Sequence, residues 1–162
     1  MDEKLIKELR ARSILGKKFE ESESFANNFG SIFKDAFQEI SNQYYTDFKI
    51  PNCYIQFLRA FPNGIWLGDH SFFGTLECVE MTFDDITLWT TLDDEKKNVV
   101  PWIFVGVRGD KGNIYLCCDS SSEYFGKIEE FYDGSAFMGN AFYENMKLET
   151  FEELLLFILN KK

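Results

Sequence analysis

Histidine is almost absent from this 162-residue chain, which has one, His70, beside three prolines and four cysteines. Basic side chains are also few: 17 Lys and Arg stand against 27 Asp and Glu, for a net charge of −10. A surface this acidic is not expected to bind nucleic acid directly, since phosphates are held by counter-charge. Cys53, Cys78, Cys117 and Cys118 show no CxxC spacing, and one histidine cannot complete a common zinc pattern. Neither a metal nor a cofactor is therefore expected. The thiols read as reduced core or half-core residues of a cytosolic protein, with vicinal Cys117 and Cys118 on opposite faces of a strand. No stretch holds 18 consecutive apolar residues, and the charged segment Met1–Ser13 lacks the apolar centre of a signal peptide. A cytoplasmic location without a membrane partner is the expectation. With no repeat, low-complexity tract or linker, residues 1–162 read as one domain.

Aromatics, by contrast, are abundant at 17%, with 18 Phe, 7 Tyr and 3 Trp. So much ring surface needs a thick core or a partner to cover it. Charge is uneven along the chain. Residues 1–75 hold nine basic and ten acidic side chains, whereas 76–153 hold six and seventeen. A field of one sign either keeps a protein soluble or steers a partner of the opposite sign.

Helical signals come first. Met1–Leu15 reads as a short amphipathic helix carrying Leu5, Ile6 and Leu9 and stopped by Gly16. Phe25, Phe29, Ile32, Phe33, Ala36, Phe37, Ile40 and Tyr44 form one helical stripe. Ile50-Pro51 opens a third helix, with Pro at its first position and a face of Tyr54, Ile55, Leu58 and Phe61, ended by Pro62-Asn63-Gly64. Strand signals follow. Ile65–Leu67 and Phe72–Val79 are β-prone runs around a turn at Gly68–Ser71. Thr82 with Asp85 resembles a capping box that would open a helix to about Leu92. Pro101–Val107 is apolar on both faces and so a central strand. Asn113–Asp119 and Gly126–Tyr132 continue an antiparallel sheet, and 133–145 reads as an irregular loop. Thr150 and Glu153 form a capping box for a last helix, apolar all round from Leu154 to Leu159 and expected to be buried. The fold class predicted is α+β: a central, mostly antiparallel sheet with helices packed against it, after an N-terminal helical extension.

The candidate chemistry is thin. Gly106, Gly109 and Gly112 join two strands rather than a strand and a helix, which fits a hairpin and not a phosphate loop. Asp69-His70-Ser71 places three triad residue types side by side, yet adjacent side chains do not line up as orienter, base and nucleophile. His70 reads as a turn residue. Asp93-Asp94-Glu95 lacks the alternating ligands of a calcium loop. Trp66, Trp89 and Trp102 read as core.

The segment order nevertheless resembles a family. A helix bearing Ile50-Pro51-Asn52-Cys53-Tyr54-Ile55-Gln56-Phe57-Leu58 precedes Asn63-Gly64. Phe104-Val105-Gly106, a Gly-Asp-x-Gly turn, Asn113-Ile114-Tyr115-Leu116 and Asp119 follow. Then come Gly126-Lys127-Ile128 and the closing Thr150-Phe151-Glu152-Glu153-Leu154-Leu155. From about Phe48 to Leu159 this is similar to the SUKH superfamily, the Smi/Knr-type domain, with residues 1–45 a longer than usual helical lead-in. The resemblance implies an α+β domain without catalytic residues. It also implies the role of many bacterial members: immunity proteins that bind and neutralise toxin domains, often nucleases.

The functional expectation is thus a non-catalytic, protein-binding module, an immunity protein whose partner is a basic toxin domain. Its acidic half would occlude the toxin's cleft. Contacts chosen on charge alone are Glu77, Glu80, Asp84, Asp85, Asp93, Asp94, Glu129, Glu130 and Asp133. The alternatives are a regulator or scaffold with another protein partner, and a small hydrolase using His70.

Overall fold

The computed structural model describes residues 1–17, 28, 31, 48–82, 102–109, 112–131 and 149–161. In chain order these form α1 (Glu3–Arg12), β1 (Ile14–Leu15), α2 (Asn52–Ala60), β2 (Ile65–Leu67) and β3 (His70–Phe72). A helical segment α3 (75–82) follows, then β4 (Trp102–Arg108), β5 (Gly112–Cys117), β6 (Lys127–Phe131), β7 (Glu149–Thr150) and α4 (Phe151–Asn160). Seven strands make one antiparallel sheet, and their order in space is their order in the chain. The fold is α+β, as the sequence predicts.

β4 lies between β3 and β5, and Trp102 to Gly106 are all buried, as a strand apolar on both faces requires. The register sorts the sheet into two faces. One carries Ile65, Phe72, Ile103, Ile114, Leu116 and Ile128; the other carries Trp66, Ser71, Phe104, Tyr115 and Glu129. α2 and α4 cover the first face. There Phe57, Phe72 and Phe151 meet edge to face with centroids 5.0–6.2 Å apart, and Tyr54 stands 5.0 Å from Phe151. These contacts bury four of the chain's aromatic rings.

α1 runs beside α4 in the same direction. The Met1 amine lies 3.5 Å from the Glu152 carboxylate, and the Arg12 guanidinium donates to the Leu159 carbonyl. Asp2 caps α1 by accepting from the Leu5 N–H at 2.7 Å, and Leu5 and Leu9 are buried. The helix is shorter than the apolar spacing predicts. It ends at Arg12, and Ile14–Leu15 turn into an edge strand paired with Trp66 and Ile65. Two facts drive the change: Ile14 is β-branched, and Gly16 N–H donates to Gly64 O at 3.0 Å. Gly16 also approaches the Asn63 carbonyl so closely that any side chain would collide with it.

Pro51 sits at the cap of α2 rather than at its first helical position; its ψ of 134° is extended, and its carbonyl accepts from Tyr54 and Ile55 N–H. Phe57 joins the buried face of this helix, beyond the residues the stripe picked out. The β-prone run Phe72–Val79 is divided: β3 stops at Phe72 and the chain is helical from 75 to 82. Thr82, offered as an N-cap, is itself helical, and the residues it would cap lie outside the described ones. α4 begins on the predicted box, with Thr150 and Glu153 bonded reciprocally, but it is not buried all round. Phe151, Leu155, Ile158 and Leu159 face inward, whereas Leu156 and Phe157 are exposed.

Of the striped helix Phe25–Tyr44 only Asn28 and Ser31 are described; both are helical and exposed, and neither belongs to the stripe. Its packing, the segment 83–92 and the loop 133–145 lie outside the described residues. Among the described residues no helix is long and apolar enough to cross a membrane.

Candidate binding surfaces

α3 is the element that presents predicted acids to water. Its first turn is tied down by Thr75, whose N–H and hydroxyl both donate to the Pro62 carbonyl, at 3.0 and 3.2 Å. Gly74 lies just before it because an added Cβ would sit 2.5 Å from that same carbonyl. Two turns on, the Thr82 hydroxyl oxygen accepts from the Phe104 N–H at 2.9 Å. This bond meets β4 where its register with β5 shifts between Phe104 and Gly106. Thr75, Cys78 and Thr82 face inward at helical spacing. Glu77, Glu80 and Met81 occupy the opposite, exposed side. The Glu77 carboxylate also reaches back toward the Gly74 N–H at 3.5 Å, which suits an anion at a helix start. The described turns form an acidic ridge that also exposes Met81 and is tied to the fold at Thr75 and Thr82.

The other predicted acids fare differently. Glu129 is not a surface group: it is 4% exposed. Selection by charge assumes that acids face water, but the β6 register sets Glu129 opposite Tyr115, on the face where Phe104 stacks on Tyr115 at 4.8 Å. Its Oε2 has no hydrogen-bond partner among the described residues, and desolvation pushes the carboxyl up to about 7. Glu130 lies in β6 opposite Ile114. Asp84, Asp85, Asp93, Asp94 and Asp133 lie outside the described residues.

His70 is likewise not a turn residue. Only Gly68 and Asp69 make the two-residue hairpin, with Gly68 at φ 65°, and His70 already pairs with Leu67 as the first residue of β3. The imidazole is 3% exposed, parallel to the Phe72 ring at 6.0 Å, with Nδ1 2.7 Å from Asp69 Oδ1. Arg108, opposite His70 in the register, places Nε 3.4 Å from the other Asp69 oxygen. Desolvation opposes it, but His70, the Asp69 backbone N–H and Arg108 together hold the Asp69 carboxyl below its usual range. Ser71 projects to the opposite face of the sheet, so the three neighbours do not form a triad.

All four cysteines are free thiols; Cys78, Cys117 and Cys118 are buried and Cys53 is half-buried. Burial raises each of them, Cys78 to about 12, which keeps them protonated and unreactive.

Two apolar patches escaped the sequence reading. Ile14, Leu15 and Trp66 are exposed at the β1–β2 edge, and Leu156 with Phe157 on α4, where the Lys161 ammonium lies 4.5 Å from the Phe157 ring centroid. The only local signal for the first was the pair Ile14-Leu15 just before Gly16. Compared with models of known protein families, with curated proteins and with solved structures, the chain matches none.

Proposed function

We propose that this chain is a non-catalytic, protein-binding module of the SUKH type, an immunity protein that neutralises a toxin domain by covering a basic cleft with its acidic surface. The observation that carries the reading is the α3 ridge, with Glu77 and Glu80 side by side in water on a helix anchored through Thr75 and Thr82. A rigid acidic ridge loses little entropy on docking, and in a chain of net −10 it adds to a long-range field that attracts cations. Met81 beside it supplies an adaptable apolar contact. Cytoplasmic placement fits the four unpaired thiols.

Co-expression with a toxin domain encoded beside this gene should restore growth, and the two proteins should copurify. In that complex, Glu77→Lys with Glu80→Lys is expected to slow association at least tenfold at low salt, with a smaller change in dissociation. The difference should shrink as salt rises from about 0.01 M to 0.1 M, because the Debye length falls from about 30 Å to about 10 Å. Glu3→Lys with Glu8→Lys is the control; Asp2 is unsuitable because it caps α1. Equal association rates for both double variants would exclude the ridge as the interface.

The hydrolase alternative rests on the 2.7 Å approach of Asp69 to His70. His70→Ala is expected to lower stability by about 1–3 kcal/mol, because it empties a packed site against Phe72, and to leave protection intact below the melting temperature. Lost protection at unchanged stability would restore the enzyme reading.

A further inference from the structure

The β1–β2 edge differs from the α3 ridge in the sign of its charge. From Leu9 to Phe19 the chain carries Arg10, Arg12, Lys17 and Lys18 and no acid, within a protein of net −10. Arg10, Arg12 and Lys17 are exposed. Arg10 is held by the Ala60 carbonyl and the Phe61 ring, and Arg12 by the Leu159 carbonyl and Glu8, so both guanidinium groups are oriented while still facing water. In the same stretch of chain Ile14 is 73% and Leu15 63% exposed, and Trp66, paired with Ile14, is 57% exposed. Ile14 and Trp66 are directly opposite each other on one face, and Leu15 is on the other.

The backbone of this edge has a definite polarity. Gly16 N–H donates to Gly64 O, which makes Gly16 and Gly64 a hydrogen-bonded pair. Pairs alternate along an antiparallel ladder, so Ile14 and Trp66 are bonded and Leu15 and Ile65 are not. The Leu15 N–H and C=O therefore point away from β2, along the side of β1 that no other described strand pairs with. Such an edge is a template for another extended chain.

We propose that this edge docks an extended peptide segment in which acidic and aliphatic residues alternate, added as an eighth strand beside β1. Its backbone pairs with Leu15, its aliphatic side chains pack on Ile14 and Trp66 or on Leu15, and its acids meet Arg10, Arg12 and Lys17. A second copy of this chain is the wrong occupant, because edge-to-edge pairing would bring the two sets of cations together.

The probe is a fluorescein-labelled decapeptide of alternating Glu and Val, titrated against the full chain by anisotropy. Saturable binding is expected for this peptide and none for its Lys-Val counterpart. N-methylation of alternate peptide nitrogens should weaken binding about tenfold, the worth of one or two hydrogen bonds. Leu15→Pro, which deletes an N–H that no described strand uses, and Ile14→Ser with Trp66→Ser should each weaken it by a similar factor at an unchanged melting temperature. Equal binding of the Lys-Val peptide, or full affinity for the N-methylated one, would overturn the proposal, and neither depends on a variant folding. Leu15→Pro binding like the wild type would overturn it as well. So would a dimer in sedimentation that the peptide does not dissociate, or phosphatidylserine vesicles displacing the peptide.

Discussion

At pH 8 the Glu129→Gln variant is expected to be more stable than the wild type by about 1–3 kcal/mol. Glu129 is buried against the aromatic face of the sheet, with one oxygen lacking a hydrogen-bond partner among the described residues, and its carboxyl is pushed from 4.5 up to about 7. A full shift of that size would correspond to slightly more than 3 kcal/mol, which is the upper end of the range. The sign follows from which state holds the proton. Between pH 4.5 and 7 the folded protein keeps a proton that the unfolded chain has lost, so protons favour folding. Glu129 thus contributes fully below about pH 4.5, and its contribution is lost as pH rises through 7. Asp69 works the other way: its lowered carboxyl supports the fold at neutral pH and loses that support only in acid, below 3.8. The two windows do not overlap. Urea unfolding at pH 5, 6, 7 and 8 should show wild-type stability falling across the series and the glutamine variant nearly flat. Parallel curves would mean that Glu129 is not the buried acid described.

The second large effect is at Gly64, where alanine is expected to cost about 3 kcal/mol or more. Its φ of 72° is unfavourable for any side chain, and an added Cβ would lie 2.3 Å from Phe72 O and 2.6 Å from Gly74 N. Both obstacles are backbone, so neither can swing aside. Gly109→Ala is the matched comparison. Its φ of 52° is also positive, but the nearest atom to an added Cβ is 3.9 Å away, so only the conformational cost of about 1 kcal/mol remains. Chemical denaturation of the two variants separates crowding from torsion. Equal losses would remove the close approach of Gly64 to the end of β3.

What the sequence made legible was local. The Thr150–Glu153 box, the doubly apolar β4, and the glycine turn between β4 and β5 are each determined by residues within a few positions, and each appears in the fold. The misreadings share a different origin: each depends on a partner distant in the chain. Phe72–Val79 is β-prone throughout, yet it becomes helical after Gly74 because Thr75 is fastened to Pro62 thirteen residues earlier. Ile14 leaves α1 because β2, fifty residues later, offers a ladder. The sequence reads His70 as a turn residue and Glu129 as a surface acid because polar side chains usually face water. Their burial follows from the sheet register, which places one beside Phe72 and the other opposite Tyr115. Of the nine acids chosen by charge, Glu77 and Glu80 are shown exposed. Net charge indicates that an acidic surface exists, but only tertiary structure assigns its members.

Because strand order repeats chain order, most of the sheet can assemble by zippering between neighbours. β4, β5 and β6 are separated by short connections, so their pairing requires little loop closure. Longer connections join β1 to β2, β3 to β4 and β6 to β7, and the one between β3 and β4 spans residues 73–101. That junction also divides a nearly neutral N-terminal half from a strongly acidic C-terminal half. The protein can therefore be viewed as two sub-assemblies meeting along one seam, fastened by the Thr82–Phe104 bond and by the alignment of α1 with α4 across the chain's two ends. A break in the polypeptide within 83–101 would leave the described strands on either side whole, and β3 and β4 would carry the complementary edges needed to rejoin.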